Sequence, residues 1–266
     1  MNKARIRRLM AVAFATIAAL AVGVQAANVV YLTNDKVMQA KSVTWRESTQ
    51  EYRVEMPDGS IIPFAKNQVD HLEIEKPPDF DKAVKMVATK QFDAAIPVLE
   101  EIVTKFKMLM CDNEARRVLA EAYLGKGDPK KAVMTLDELF TSVTKAQAPA
   151  DVLLLYWKAL LGAERTSTLN KELEEATAGA NREMAAAAMI MRGNMKRQAG
   201  QKQDALFDYL RVVILCDQIK SVQPEAIFRA AELMEELRDP RAEEMRKKLV
   251  KEYGNSEYAR SLHGKI

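Results

Sequence analysis

Two histidines, His71 and His263, and two cysteines, Cys111 and Cys216, are the chain's whole supply of imidazole and thiol. A zinc site draws on three or four such ligands, so none is expected and no metal or other cofactor is assigned. A cysteine nucleophile needs a histidine base and a third group to orient it. Here the histidines fall in an expected strand and at the chain's end, so no catalytic residue is assigned. Cys111 and Cys216 lie in segments read as helical, about two repeat units apart, and are expected as free buried thiols, not a disulfide. Acidic pairs occur at Glu100-Glu101, Glu174-Glu175, Glu235-Glu236 and Glu243-Glu244. Adjacent helical residues point about 100° apart, so such a pair does not converge on one substrate atom. Glu243 with Lys247 and Glu244 with Lys248 have the spacing of surface ion pairs. Gly125 and Gly127 fall at a helix end with no strand before them, which is not a phosphate-binding loop. Met184, Met189, Met191 and Met195 read as helix packing. Protein binding, not catalysis, is therefore the expected role.

The elements that would present a binding surface begin after an export signal, residues 1–26. Lys3, Arg5, Arg7 and Arg8 precede an apolar run from Leu9 to Val22, and Val24-Gln25-Ala26 has the small-residue spacing of a cleavage site. The run is shorter than the roughly 20 apolar residues of a spanning helix, so no stable transmembrane segment is expected after cleavage. An uncleaved tether is the alternative. No Cys follows the run, which closes a lipid-anchored route. Without the signal, the 40 basic residues fall to 36 against 37 acidic ones, a balance that excludes a strongly basic nucleic-acid binder. A periplasmic or secreted location follows.

Residues 28–76 read as a small β unit. Five runs of β-branched and aromatic residues are expected as strands: Val29 to Leu32, Val37 to Trp45, Tyr52 to Met56, Ile61 to Phe64 and Val69 to Ile74. Pro57-Asp58-Gly59-Ser60 is a turn, and Pro63 restricts its strand to an edge. The strand count, the Asp58-Gly59 hairpin and the break at Ala65-Lys66-Asn67-Gln68 resemble an SH3-like or Sm-like barrel. The unit shows no basic patch or paired exposed aromatics, and a structural cap on the next helix is an equal reading. Pro77-Pro78 forms the boundary.

From residue 79 to 259 the apolar period is helical, broken at regular intervals. Ala95, Ala132, Ala205 and Ala242 recur at spacings of 37, 73 and 37, leaving room for a degenerate copy near Leu169. Twelve residues before each lies another small residue: Ala83, Ala120, Gly193 and Ala230, with Trp157 in the degenerate copy. Small residues facing one another let two helices approach closely. Asp128-Pro129 and Asp239-Pro240 supply a capping side chain and a Pro at the first helical position.

The stretch from Leu119 to Val133 resembles a tetratricopeptide repeat, whose unit is two helices in about 34 residues. Lys251 to Ala259 resembles repeat endings of envelope proteins of the Tol-Pal and outer-membrane assembly systems, with Gly254 where Pro is usual. The resemblance implies a mainly α fold: an α-solenoid of about five helix pairs behind the β unit, with residues 260–266 as a tail. It also implies a concave face lined by the first helices, including Arg117, Glu121, Leu154, Lys158, Ile190, Asn194, Arg197 and Ile227. The residues with which some members clamp a C-terminal carboxylate are absent at the matching positions. The expected function is a non-catalytic envelope scaffold that binds a peptide or partner helix. The alternative is a wall- or glycan-associated protein whose β unit binds the wall while the solenoid oligomerises or recruits partners. An enzyme accessory is a third reading, and self-association is left open.

Overall fold

The computed structural model describes residues 28–262. The expected export signal, residues 1–26, and residues 263–266 of the expected tail, His263 among them, lie outside the described residues. The chain divides into two compact units, with the boundary between Val118 and Leu119 rather than at Pro77-Pro78.

Among the described residues, the first unit contains six strands: β1 (Asn28–Leu32), β2 (Val37–Ala40), β3 (Ser42–Arg46), β4 (Glu51–Glu55), β5 (Ile61–Ala65) and β6 (Val69–Glu73). The single strand expected over Val37 to Trp45 is two. The chain leaves one antiparallel sheet, ordered β2-β1-β6, at Lys41 and enters a second, ordered β3-β4-β5. Lys41 marks the change by donating its backbone N–H across to the Glu55 carbonyl at 2.7 Å. The inward phase flips there, from Met38 and Ala40 to Val43 and Trp45 across the polar pair Lys41-Ser42, a break in period-2 alternation that the single expected strand passed over. β5 is an edge strand, as Pro63 requires. Gly59, at φ +85°, closes the β4–β5 hairpin, and Asp58 Oδ1 accepts the Ser60 backbone N–H at 2.9 Å.

Both sheets share a core of Val30, Leu32, Ala40, Val43, Tyr52, Val54 and Leu72. Leu109 completes that core. It lies in the loop between α2 (Phe92–Lys105) and α3 (Cys111–Lys126), which follow α1 (Phe80–Ala88). The Tyr52 hydroxyl donates to the Met108 carbonyl at 3.2 Å, and Lys107 pairs with Glu47 at 2.9 Å. The loop is held in turn by buried Asp112, which accepts the Met108 backbone N–H at 2.9 Å and pairs with Arg116. Cys111, beside it, is half-buried and free, and burial pushes its thiol up to about 11. Cys216 is likewise free and half-buried, not fully buried as expected.

The boundary between units falls inside α3. After it come α4 (Pro129–Ser142), α5 (Ala150–Gly162), α6 (Thr166–Ala178), α7 (Arg182–Gln198), α8 (Lys202–Leu215), α9 (Gln223–Glu236), α10 (Ala242–Tyr253) and α11 (Glu257–Leu262). From α4 onward each helix packs on the next, α5 also touches α7, and α11 lies on both α9 and α10. Asp128 caps α4 by accepting the Lys131 backbone N–H at 3.1 Å, with Pro129 at the first turn. Asp239-Pro240 behaves differently. Asp239 accepts the Arg241 backbone N–H at 3.0 Å, so the two residues form a turn and α10 begins at Ala242. The Arg241 guanidinium holds the Asp239 carboxyl down at about 2.

One local motif repeats five times. Lys90, Gly127, Glu164, Gly200 and Arg238 all have positive φ and are spaced 37, 37, 36 and 38 residues apart. Each ends the first helix of a pair: α1, α3, α5, α7 and α9. The next backbone N–H reaches back to a carbonyl in the preceding turn, from Gln91 to Met86, Asp128 to Tyr123, Arg165 to Leu160, Gln201 to Lys196 and Asp239 to Met234, at 2.8–2.9 Å. This is the six-to-one bond of a Schellman cap. Three of the five positions carry a side chain in the left-handed region, which L residues enter at a cost of about 1 kcal/mol or more. Glu164→Gly should therefore raise stability by about 0.5–1 kcal/mol, and Gly127→Ala should lower it by about 1 kcal/mol. Urea titration of both variants checks this; equal shifts of one sign would contradict the shared cap.

The small residues read from the sequence are buried. Ala83, Ala95, Ala120, Ala132, Ala205 and Ala230 are each 0% exposed, Ala242 is 7% exposed, and Gly193 is also buried. In the degenerate pair, Trp157 and Leu169 are buried instead, at 1% and 0%.

Candidate interaction surface

The residues expected to line a binding face are best judged by what each touches. Lys158 and Glu121 are exposed, and Leu154 and Arg117 are half-buried. Ile190 and Ile227 correct the expectation. They are 4% and 0% exposed and belong to a core that also holds Val212, Leu233, Ala259 and Leu262. Ile227 lies on α9, which packs on α8, α10 and α11 together, and Ile190 lies on α7, which packs on α6 and α8, so neither side chain can meet a partner. Sequence register assigned them to an open face because it carried no information about which neighbouring helices cover each position.

Asn194 and Arg197 are accessible but occupied. Asn194 Oδ1 accepts the hydroxyl of fully buried Tyr209 at 2.7 Å. Arg197 bridges from α7 to α9, pairing with Glu232 at 2.9 Å and Glu236 at 2.5 Å. Burial alone would lower the Arg197 pKa, yet those two carboxylates hold it above its ordinary value. Lys202 pairs with Glu236 at 3.0 Å, and Arg229 lies 3.6 Å from Glu225 and 3.4 Å from Glu232. The result is a charged seam beside Phe228 and Arg246.

A second polar cluster joins α7 to α8. Asp208 is 0% exposed and receives a two-point contact from Arg192, Nε to Oδ2 at 2.9 Å and Nη2 to Oδ1 at 2.6 Å. Lys196 adds Nζ to Oδ2 at 2.7 Å, and Arg211 approaches Oδ1 at 3.3 Å. Burial drives the Asp208 carboxyl up, but the hydrogen bonds from Arg192 and Lys196 outweigh it and hold the carboxyl below its usual value. Three cations thus surround one carboxylate. The i, i+4 spacing of Arg192 and Lys196 was visible in the sequence, but their shared partner sits on the next helix.

The remaining chemistry-bearing groups are simpler. His71 Nδ1 lies 2.9 Å from Asp70 Oδ2, but both side chains are open to water, and the ring stacks on Tyr31 with centroids 3.9 Å apart. Among the described residues, no three His, Cys, Asp or Glu side chains gather as a metal set, and no helix is long and apolar enough to cross a membrane. Sequence reasoning missed the exposed apolar residues of α8: Phe207, Ile214 and Leu215 are 61%, 67% and 73% exposed.

No family model matches the chain. None of the curated proteins matches it either. Among solved structures, the crystal structure of PilW, described as a widely conserved type IV pilus biogenesis factor, is similar to this chain. The identity is 15%, the match spans 69% of this chain and 96% of that one, and the TM-score is 0.38.

Proposed function

We propose that the chain is an exported, non-catalytic interaction scaffold of the cell envelope. Its five helix pairs stack as a tetratricopeptide-like solenoid behind a small SH3-like β unit, and the first-helix face receives a peptide or partner helix. The observation that carries this reading is the fivefold cap at residues 90, 127, 164, 200 and 238, coupled to buried small residues in the paired helices. Identical turns at near-constant spacing build a series of like hairpins, the architecture that produces extended binding surfaces. Leu154 and Lys158, one helical turn apart on α5, supply an apolar and a cationic contact on that face. Asp208, the most buried perturbed acid in the second unit, is closed off by cations and serves packing rather than acid–base chemistry. The wall-binding alternative has less support, since Tyr31 and His71 stack on each other and so cover ring faces that a sugar would need.

Two measurements test the proposal. Protein recovered from the periplasmic fraction should begin at Ala27; retention of Met1 in the cytoplasm would refute export. A photo-crosslinking residue in place of Leu154 or Lys158 should give a discrete adduct with another protein in living cells, and one in place of exposed Lys171 should not. Equal labelling at all three positions, or none, would remove the α5 face from the scaffold reading.

A further inference from the structure

Exposed Phe207 and Ile214 are seven residues apart on α8, with half-buried Leu210 between them, so they form one stripe about 10 Å long. The other second helices provide an internal comparison. Where α8 has Leu210, the equivalent positions are Glu100, Asp137, Glu174 and Lys247. Where it has Ile214, they are Thr104, Thr141, Ala178 and Lys251. At the Phe207 position the equivalents are Pro97, exposed Met134, Lys171 and Glu244, so a single outer apolar residue is not peculiar to α8. Only α8 continues with large apolar groups through the Leu210 and Ile214 positions. Leu215 extends the patch by one more exposed residue.

Charge lies beside it. Arg211, whose side chain is 57% exposed, stands between Phe207 and Leu215 along the helix. Arg211, Arg192 and Lys196 share the single carboxylate of Asp208, leaving a local excess of two positive charges. Asp208 anchors Arg192 at two points, so this charge is held in fixed geometry. Apolar anchors at i, i+3 and i+7 beside fixed cations match the surface of an amphipathic helix with acidic side chains flanking its apolar stripe.

We propose that the outer face of α8 docks an acidic amphipathic helix of a partner protein, a second site distinct from the first-helix face. An anionic membrane fits less well. Stable adsorption uses clusters of four or more free basic residues, whereas here the excess is two, with exposed Asp204 and Asp217 at the two ends. A second copy fits less well too, because a two-fold contact centred on the stripe would bring Arg211 against its own counterpart.

The test titrates the full exported chain into two fluorescently labelled synthetic helices with the same leucine stripe, one flanked by Glu and the other by Lys. The Glu helix should bind saturably, and the Lys helix at least tenfold more weakly. Arg211→Glu should abolish that preference, and Phe207→Ser with Ile214→Ser should weaken the Glu helix at least tenfold. Phe207 and Ile214 are exposed, so the serine variant should melt like the parent. Arg211→Glu loses the 3.3 Å contact to Asp208 and should melt somewhat lower while staying folded at the assay temperature. No saturable binding, equal binding of both helices, or indifference to the substitutions would overturn the proposal. So would binding to phosphatidylglycerol vesicles in place of the peptide, or a sedimenting dimer abolished by the same substitutions. Cross-linking at Leu154 and Lys158 reads a different helix, so either experiment can fail without the other.

Discussion

Gly193→Ala should destabilise the protein by about 1–2 kcal/mol, against the ordinary sign of that change in a helix. In a free α-helix interior, replacing Gly by Ala stabilises by about 1 kcal/mol, because Gly loses more backbone freedom on folding. At Gly193 the new Cβ would sit 2.5 Å from Tyr209 Cε1 and 2.9 Å from Cδ1. The ring cannot swing away cheaply. It is 0% exposed, and its hydroxyl is tied to Asn194. Overpacking of this kind costs about 1–3 kcal/mol, which exceeds the propensity gain. The contact can be isolated by pairing the substitution with Tyr209→Leu. That change alone should cost a few kcal/mol for the lost ring, but the double variant should fall short of the sum, because the smaller side chain leaves room for the methyl group. Chemical denaturation of all four proteins measures the coupling. Stabilisation by Gly193→Ala, or strict additivity, would show that α7 and α8 do not meet at this point.

Gly193 also marks what the sequence could disclose. A small residue recurring twelve positions before an alanine, in a chain of helical period, has a direct packing meaning, so the paired helices were legible from residue types alone. The caps were legible only where glycine occupies them, at Gly127 and Gly200. Lys90, Glu164 and Arg238 adopt the same positive φ, although their side chains ordinarily avoid it. There the hairpin imposes the conformation and the residue tolerates it. In the β unit Pro63 and Gly59 announced an edge and a turn, while the sheet change at Lys41 is marked only by the shift of the apolar phase from Met38 and Ala40 to Val43 and Trp45. Surfaces were hardest to read. Register placed Ile190 and Ile227 with the open residues, and only the packing of α7 and α9 against their neighbours reveals them as core. Phe207 and Ile214 have the opposite history, since apolar residues in a helix are normally assigned inward and nothing in their spacing marks them as exposed. Fold therefore came from local spacing, whereas the site depends on which helix faces a neighbour, a non-local property.

Asp208→Asn should cost about 3 kcal/mol and change how stability responds to acid. The carboxylate is 0% exposed and accepts from Arg192 and Lys196. Removing one partner of a buried pair costs about 3–5 kcal/mol, because the remaining charge is left desolvated. The lower end applies here, since the Arg192 and Lys196 side chains retain 32% and 26% exposure and can recover water. The pH dependence has a fixed sign. The folded carboxyl is held below its ordinary value, so between that value and the unfolded one, about 3.9, the unfolded chain binds the proton more readily. The contribution is complete above about pH 4 and disappears as the pH falls through the folded value. Asn has no such proton to bind, so the variant should lose less stability than the parent between pH 5 and pH 2, and the two curves should converge at the acid end. Parallel curves over that interval would mean that folding does not lower the Asp208 pKa. Lys196→Met offers a check on the same contact: it leaves Arg192 on the carboxylate, so it should destabilise less than Asp208→Asn while shifting the acid limb to higher pH.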